Sequence, residues 1–296
     1  MKACKTAGLV PAIMMSFMGA AIAVAVSNTQ AQSGDNPHAE ILSIGGSVTE
    51  IVYALGQEHR LVARDTTSVY PPEAHDLPDV GYMRALSPEG VLAVDPAMIL
   101  SEEGAGPPET IDVLKSADIP FITVPLVRDG AGIAQKIRVV GHALGVSEEA
   151  DALAEDVQSK MDAARERASE MAGTERKRVL FVLSTQGGRI LASGSDTAAD
   201  AIIRLAGADN AVTEFEGYKP MTDEAVSRAQ PDVILMMDRT DDHGADNRTL
   251  FSMPALSPTP AARNDAVVRM NGLYLLGFGP RTAEAVTELS ETLYTP

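Results

Sequence analysis

From residue 41 onward, short apolar runs alternate with stretches of helical period. Ile41-Leu42-Ser43-Ile44 ends at Gly45-Gly46 and predicts a buried strand. Residues 49–55 predict a helix stopped by Gly56, and Leu61-Val62-Ala63 a second strand. Ser87-Pro88-Glu89 reads as a helix start, with Ser as N-cap, Pro in the first turn and an acid facing the helix dipole. That helix ends near Val94, and residues 97–100 predict the next strand. Residues 109–117 and 132–144 predict helices flanking a strand over 119–124, the second helix closed by Gly145. Strands alternating with helices imply a mostly parallel sheet.

The stretch 147–171 contains no Gly or Pro. Leu153, Val157, Met161, Ala164, Ala168 and Met171 recur at spacings of three and four, one face of a long helix. It reads either as a plain surface helix or as a rigid strut between two domains. The alternation then restarts. Residues 179–183 are an apolar strand, Ser195-Asp196 cap a helix over 197–205, and Thr222-Asp223-Glu224 cap another running to Ala229. Residues 233–237, 267–270 and 273–276 read as strands and 280–293 as a closing helix. The fold class is therefore α/β: two Rossmann-like lobes with mostly parallel sheets, joined by a single long helix, with a ligand cleft between them. The boundaries fall at 32–145, 146–174 and 175–296.

Residues 1–31 stand apart. Lys2 and Lys5 precede an almost purely apolar run from Ala7 to Val26, and Ser27 to Ala31 are polar or small. This is the layout of a secretory signal peptide, with Thr29-Gln30-Ala31 or Ala25-Val26-Ser27 as cleavage sites. A retained membrane anchor is the rival reading; Pro11 and the many small residues argue against it. The single cysteine, Cys4, precedes the apolar run, so cleavage leaves no thiol for a disulfide, a metal or a nucleophile. An exported, periplasmic protein is expected.

The chain of 296 residues carries a net charge of −17, which opposes general nucleic-acid binding. His38, His59, His75, His142 and His243 are scattered, with no metal-ligand spacing. There is no phosphate-binding loop, and neither Gly45-Gly46 nor Gly187-Gly188 fits a dinucleotide fingerprint. No nucleophile elbow occurs. An enzyme is not expected.

Two stretches are unusual. Thr66 to Glu73 (TTSVYPPE) puts Tyr70 on a loop stiffened by Pro71 and Pro72, just after a strand. Val80 to Ser87 (VGYMRALS) brings Arg84 to the next helix start. Alone, a Tyr before Pro-Pro is usually just a packed loop residue. With SIGGSVTE (43–50), EGAGPP (103–108), QGGR (186–189), SDTAAD (195–200), GYKPM (217–221) and LGFGPRT (276–282), the set extends along the chain. In these motifs the chain resembles the periplasmic haemin-binding proteins of bacterial ABC uptake systems, a helix-bridged family of substrate-binding proteins.

That resemblance implies a carrier that captures haem and delivers it to an inner-membrane ABC transporter. It makes Tyr70 the axial ligand to ferric haem. A phenolate is a hard anionic oxygen donor suited to Fe(III), and a nearby cation favours its deprotonation. Arg84 is the candidate cation, or equally a partner for a haem propionate or for a surface acid. On the other lobe Tyr218 is expected to stack on the porphyrin and Lys219 to meet a propionate, from a loop bounded by Gly217 and Pro220. Arg281 and the free N–H groups of residues 277–281 are expected to hold a carboxylate. Gln186 is a poor iron ligand, so no second axial ligand is assigned. Glu50 and Glu224 are expected to dock on arginines of the membrane permease, although acids at helix starts are also the ordinary dipole-favoured choice. The carrier is expected to be monomeric. The alternative is the same fold binding a ferric siderophore or cobalamin; a zinc or manganese carrier would want clustered His and carboxylates.

Overall fold

The computed structural model describes residues 40–238 and 246–295. The expectations for the signal segment, Cys4, His38 and His243 lie outside the described residues.

The first half is a repeated strand–helix unit. β1 (Ile41–Ile44), β2 (Leu61–Arg64), β3 (Met98–Glu102) and β4 (Phe121–Val124) form a parallel sheet in the order β2-β1-β3-β4. Every residue of β1 is buried, as expected of a parallel strand covered on both faces. The connections carry α1 (Gly46–Ala54), α2 (Pro88–Leu92) and α3 (Pro108–Ser116), and α4 (Gly130–Leu144) follows β4. Ser87 caps α2 by accepting the Gly90 N–H, and Asp129 caps α4 by accepting the Gly132 N–H.

α5 (Ser147–Ala172) is 26 residues long. Its buried face is Ala150, Ala154, Val157, Met161, Ala164, Ala168 and Ala172. The small residues let neighbours approach closely. A Cβ on Gly141 of α4 would sit 2.0 Å from the Ala150 Cβ. One hydrophobic cluster takes in Ile41 and Ile137 of the first half, Val157 and Met161 of α5, and Phe181 and Leu289 of the second. The helix is therefore a seam packed along its length rather than a bare strut.

In the second half β5 (Arg178–Ser184) pairs in parallel with β9 (Val233–Asp238), and β9 with β10 (Val267–Asn271). On its other edge β5 pairs antiparallel with β6 (Ile190–Ser193), and β6 with β8 (Tyr218–Met221). The short β7 (Asp209–Asn210) adds in parallel to β5. The sheet is therefore mixed, and β6, β7 and β8 are additions to the sequence reading. Gly187 and Gly188, at φ 65° and 74°, turn the chain between β5 and β6. The helices are α6 (Ala198–Leu205), α7 (Asp223–Ala229), α8 (Asn247–Phe251), α9 (Pro260–Arg263), α10 (Gly272–Leu276) and α11 (Thr282–Tyr294). Thr197, not Ser195-Asp196, caps α6, accepting the Asp200 N–H. Residues 273–276 are helix rather than strand: Asn271 accepts the Tyr274 N–H at 3.1 Å and starts a turn directly after β10.

Candidate functional site

The site grows from the carboxyl ends of β1 and β2. Gly45, at φ 109°, turns β1 into α1, and Asp65 follows β2. The Asp65 carboxylate is fully buried and accepts four hydrogen bonds. Its Oδ1 takes the Gly45 N–H at 2.9 Å and the Ser68 hydroxyl at 2.8 Å. Its Oδ2 takes the Thr67 N–H at 2.9 Å and the Thr67 hydroxyl at 2.7 Å. Ser68, Thr49 and Ser43 continue as a hydroxyl chain with links of 2.6 and 2.7 Å. A Cβ on Gly46 would lie 2.5 Å from the Thr67 carbonyl, so the loop lies flat against the start of α1.

Arg64 ties down the far side of the same loop. Its Nε donates to the Ala74 carbonyl at 2.8 Å, and its Nη1 to the Asp65 carbonyl and the Asp79 carboxylate, each at 3.0 Å. Tyr70 projects from the loop so anchored, with 37% of its surface exposed.

Arg281, at the N-cap of α11 in the second half, reaches back across the molecule. Its guanidinium carbon lies 3.3 Å from the Tyr70 ring centroid and 5.2 Å from that of Tyr274. Its Nε and Nη2 grip Glu50 of α1 at 3.0 and 2.9 Å, and its backbone N–H adds a third bond at 3.2 Å. Burial and the acids Glu288 and Glu284 push the Tyr274 phenol up to about 12.

These contacts revise three sequence expectations. The cation against the Tyr70 ring is Arg281, where the sequence reading names Arg84. The carboxylate at the α11 N-terminus is the protein's own Glu50. Glu50 itself is only 5% exposed and ion-paired, so it is not an outward-facing docking acid.

A second junction joins the halves near Tyr218. Arg128, in the loop before α4, forms an ion pair with Asp196. Arg84 and Arg128 both act electrostatically on the Tyr218 hydroxyl. Burial raises that phenol, opposed by hydrogen bonds at Thr197 and the Ala199 backbone and by the two arginines. The Tyr218 ring meets Phe181 edge-on at 6.2 Å, leaving 36% of the residue exposed. Lys219 lies over the Phe215 ring at 5.4 Å. Both residues belong to β8 rather than to a free loop. Arg84 is exposed and forms no salt bridge among the described residues. Arg128 was missed in the sequence because nothing marks it apart from a surface basic residue; only the fold sets it beside Asp196 and Tyr218.

Glu224 is exposed on the first turn of α7, behind the Thr222 cap, 3.6 Å from Arg228. Its counterpart in the first half is Glu89, exposed on the first turn of α2 behind the Ser87 cap. Each acid stands two residues after a hydroxyl N-cap. The paired Ser-Pro-Glu and Thr-Asp-Glu strings were the available signal. His59, His75 and His142 are exposed, and no cluster of three or more His, Cys, Asp or Glu suited to a metal ion occurs among the described residues.

The periplasmic heme-binding protein BhuT, solved in complex with two hemes, is 40% identical; the match covers 86% of this chain and 97% of that one at a TM-score of 0.81. An uncharacterized ABC transporter substrate-binding lipoprotein of Bacillus subtilis, YvrC, is 29% identical over 257 residues, 86% of this chain and 80% of its own. The vitamin B12-binding protein of Yersinia pestis is 27% identical over 227 residues, 76% of this chain and 78% of its own. The periplasmic binding protein family model matches residues 41–272, and with both sheets and the helical seam inside that span, the chain belongs to this family.

Proposed function

We propose that this chain is a non-enzymatic periplasmic carrier that captures ferric haem through Tyr70 and hands it to an inner-membrane ABC transporter. The observation that carries the reading is Tyr70 itself: an accessible phenol on a braced loop, with a guanidinium against its ring. Bracing lowers the entropy lost on binding. Iron coordination requires a phenolate, a hard anionic oxygen donor suited to Fe(III). Arg84, Arg128 and Lys219 supply cations for the propionates, and Tyr218 an aromatic face for the porphyrin. The 40% identity to a heme-binding protein over nearly all of that protein supports the same ligand. No helix among the described residues is long and apolar enough to cross a membrane. The carrier acts as a monomer whose units are residues 32–145, the helix 146–174 and residues 175–296.

A haemin titration of the protein beside Tyr70→Ala, followed by absorption, tests this. Saturable binding with a phenolate-to-Fe(III) charge-transfer band, lost in the variant, is expected. Absence of saturable binding would sink the proposal. The vitamin B12-binding relative favours a second reading, cobalamin, with a ferric siderophore in the same class. It predicts saturable binding of that ligand, nearly intact in Tyr70→Ala.

For transporter docking, the matched first-turn acids Glu89 and Glu224 replace the Glu50–Glu224 pair. Glu89→Lys with Glu224→Lys is expected to abolish carrier-stimulated ATP hydrolysis by the cognate transporter while haemin binding persists. Undiminished stimulation would remove both acids from that role.

A further inference from the structure

Glu50 is a buried carboxylate whose place the carrier reading does not explain. It sits on α1 in the first half, and all three of its hydrogen-bond donors belong to Arg281 of the second. A Cβ on Gly279 would lie 3.4 Å from the Glu50 carboxyl carbon, so the carboxylate rests against the backbone entering α11. A buried carboxylate is costly unless paired and fully hydrogen-bonded. Here the pairing is a two-pronged fork, which fixes the plane of the guanidinium as well as its distance. The edge of that plane goes to Glu50 and its face to the Tyr70 ring, 3.3 Å away.

We infer that Glu50 is a positioning residue for the iron ligand: it holds the Arg281 guanidinium flat on Tyr70 and thereby sets the donor strength of the Tyr70 phenolate. The inference rests on the haem reading above. A cation against the ring lowers the energy of the phenolate electrons. With Glu50 gone, the fork opens and the guanidinium is no longer held in that plane. The phenolate becomes the stronger donor. Its charge-transfer band to Fe(III) moves to longer wavelength, and the Fe(III)/Fe(II) midpoint potential falls. Glu50 acts only through Arg281, so its effect vanishes once Arg281 is removed.

The test compares the haemin-loaded wild type with Glu50→Gln, Arg281→Met and the double variant. The expected result is a band shifted to longer wavelength in both single variants. The double variant should shift no further than Arg281→Met alone. A single variant strands one buried charge and risks misfolding. Glu50→Asp keeps both buried charges but draws the carboxylate back by one methylene, so its band shift tests the fork even if Glu50→Gln fails to fold. A wild-type band position and potential in Glu50→Gln, or in the double variant, would overturn the inference, as would shifts that add. A fall in melting temperature with no spectral change would reduce Glu50 to a structural pair. If wild type binds no haemin, the carrier reading fails and takes this inference with it; if wild type binds and only the shift is missing, the carrier reading stands.

Discussion

Replacing Asp65 with Ala removes the acceptor around which the Tyr70 loop is built. Asp65 is fully buried, and its two oxygens receive two backbone N–H groups and two hydroxyls. The hydroxyls can rotate: Ser68 already has Thr49 as a partner, and Thr67 still accepts the Gly46 N–H at 3.0 Å. The N–H groups of Gly45 and Thr67 cannot. Each buried unsatisfied donor costs about 1–3 kcal/mol, so the substitution should cost about 2–6 kcal/mol, less whatever water entering the cavity restores. Against a typical domain stability of about 5–15 kcal/mol this is a large fraction. Asp65→Asn serves as the control: it keeps one acceptor oxygen but turns an amide N–H₂ toward the other donors, and should fall between wild type and Ala. Urea unfolding followed by circular dichroism measures the difference through the midpoint at constant slope. The Ala variant should also bind haemin more weakly, because its Tyr70 loop is no longer held. A loss of stability under about 1 kcal/mol would refute the argument that this carboxylate satisfies otherwise stranded donors.

Lys136 is fully buried with its Nζ 2.6 Å from Glu102 and 3.0 Å from the Ser47 hydroxyl. Lys136→Met should destabilise by about 3–5 kcal/mol by leaving Glu102 unpaired, and adding Glu102→Gln should recover most of that; equal losses in the single and double variants would contradict it. Tyr274, raised to about 12 by burial and by Glu288 and Glu284, should titrate late in an ultraviolet pH titration, and Tyr274→Phe should remove that component. Because the unfolded phenol ionises near pH ~10, the stability this group contributes is complete below that pH. It is lost as pH rises toward 12, so Tyr274→Phe should flatten the stability profile over that window.

Much of this molecule is local in origin and therefore legible in order along the chain. Periodicity marks α5, because a 26-residue helix with a buried stripe needs nothing from elsewhere to declare itself. Hydroxyl N-caps at Ser87 and Thr222 announce α2 and α7 because the capping bond spans only three residues. Buried parallel strands such as β1 show as unbroken apolar runs. The failures are also physical. β8, Tyr-Lys-Pro-Met, has no apolar alternation, since it is an exposed strand paired to β6 on one side only. Residues 273–276 are apolar enough for a strand, and only Asn271, the last residue of β10 and the cap of α10, decides for a helix. Tyr70 and its loop were readable as a motif, but their partner was not. Arg281 lies 231 residues from Glu50 in sequence. No pattern of local propensity carries information about which charge a folded chain will set against which ring. Composition and spacing determined that this is a two-sheet α/β protein with a braced tyrosine. Tertiary packing alone decided that its cation is Arg281, that Glu50 is spent inside, and that Arg128 stands beside Tyr218.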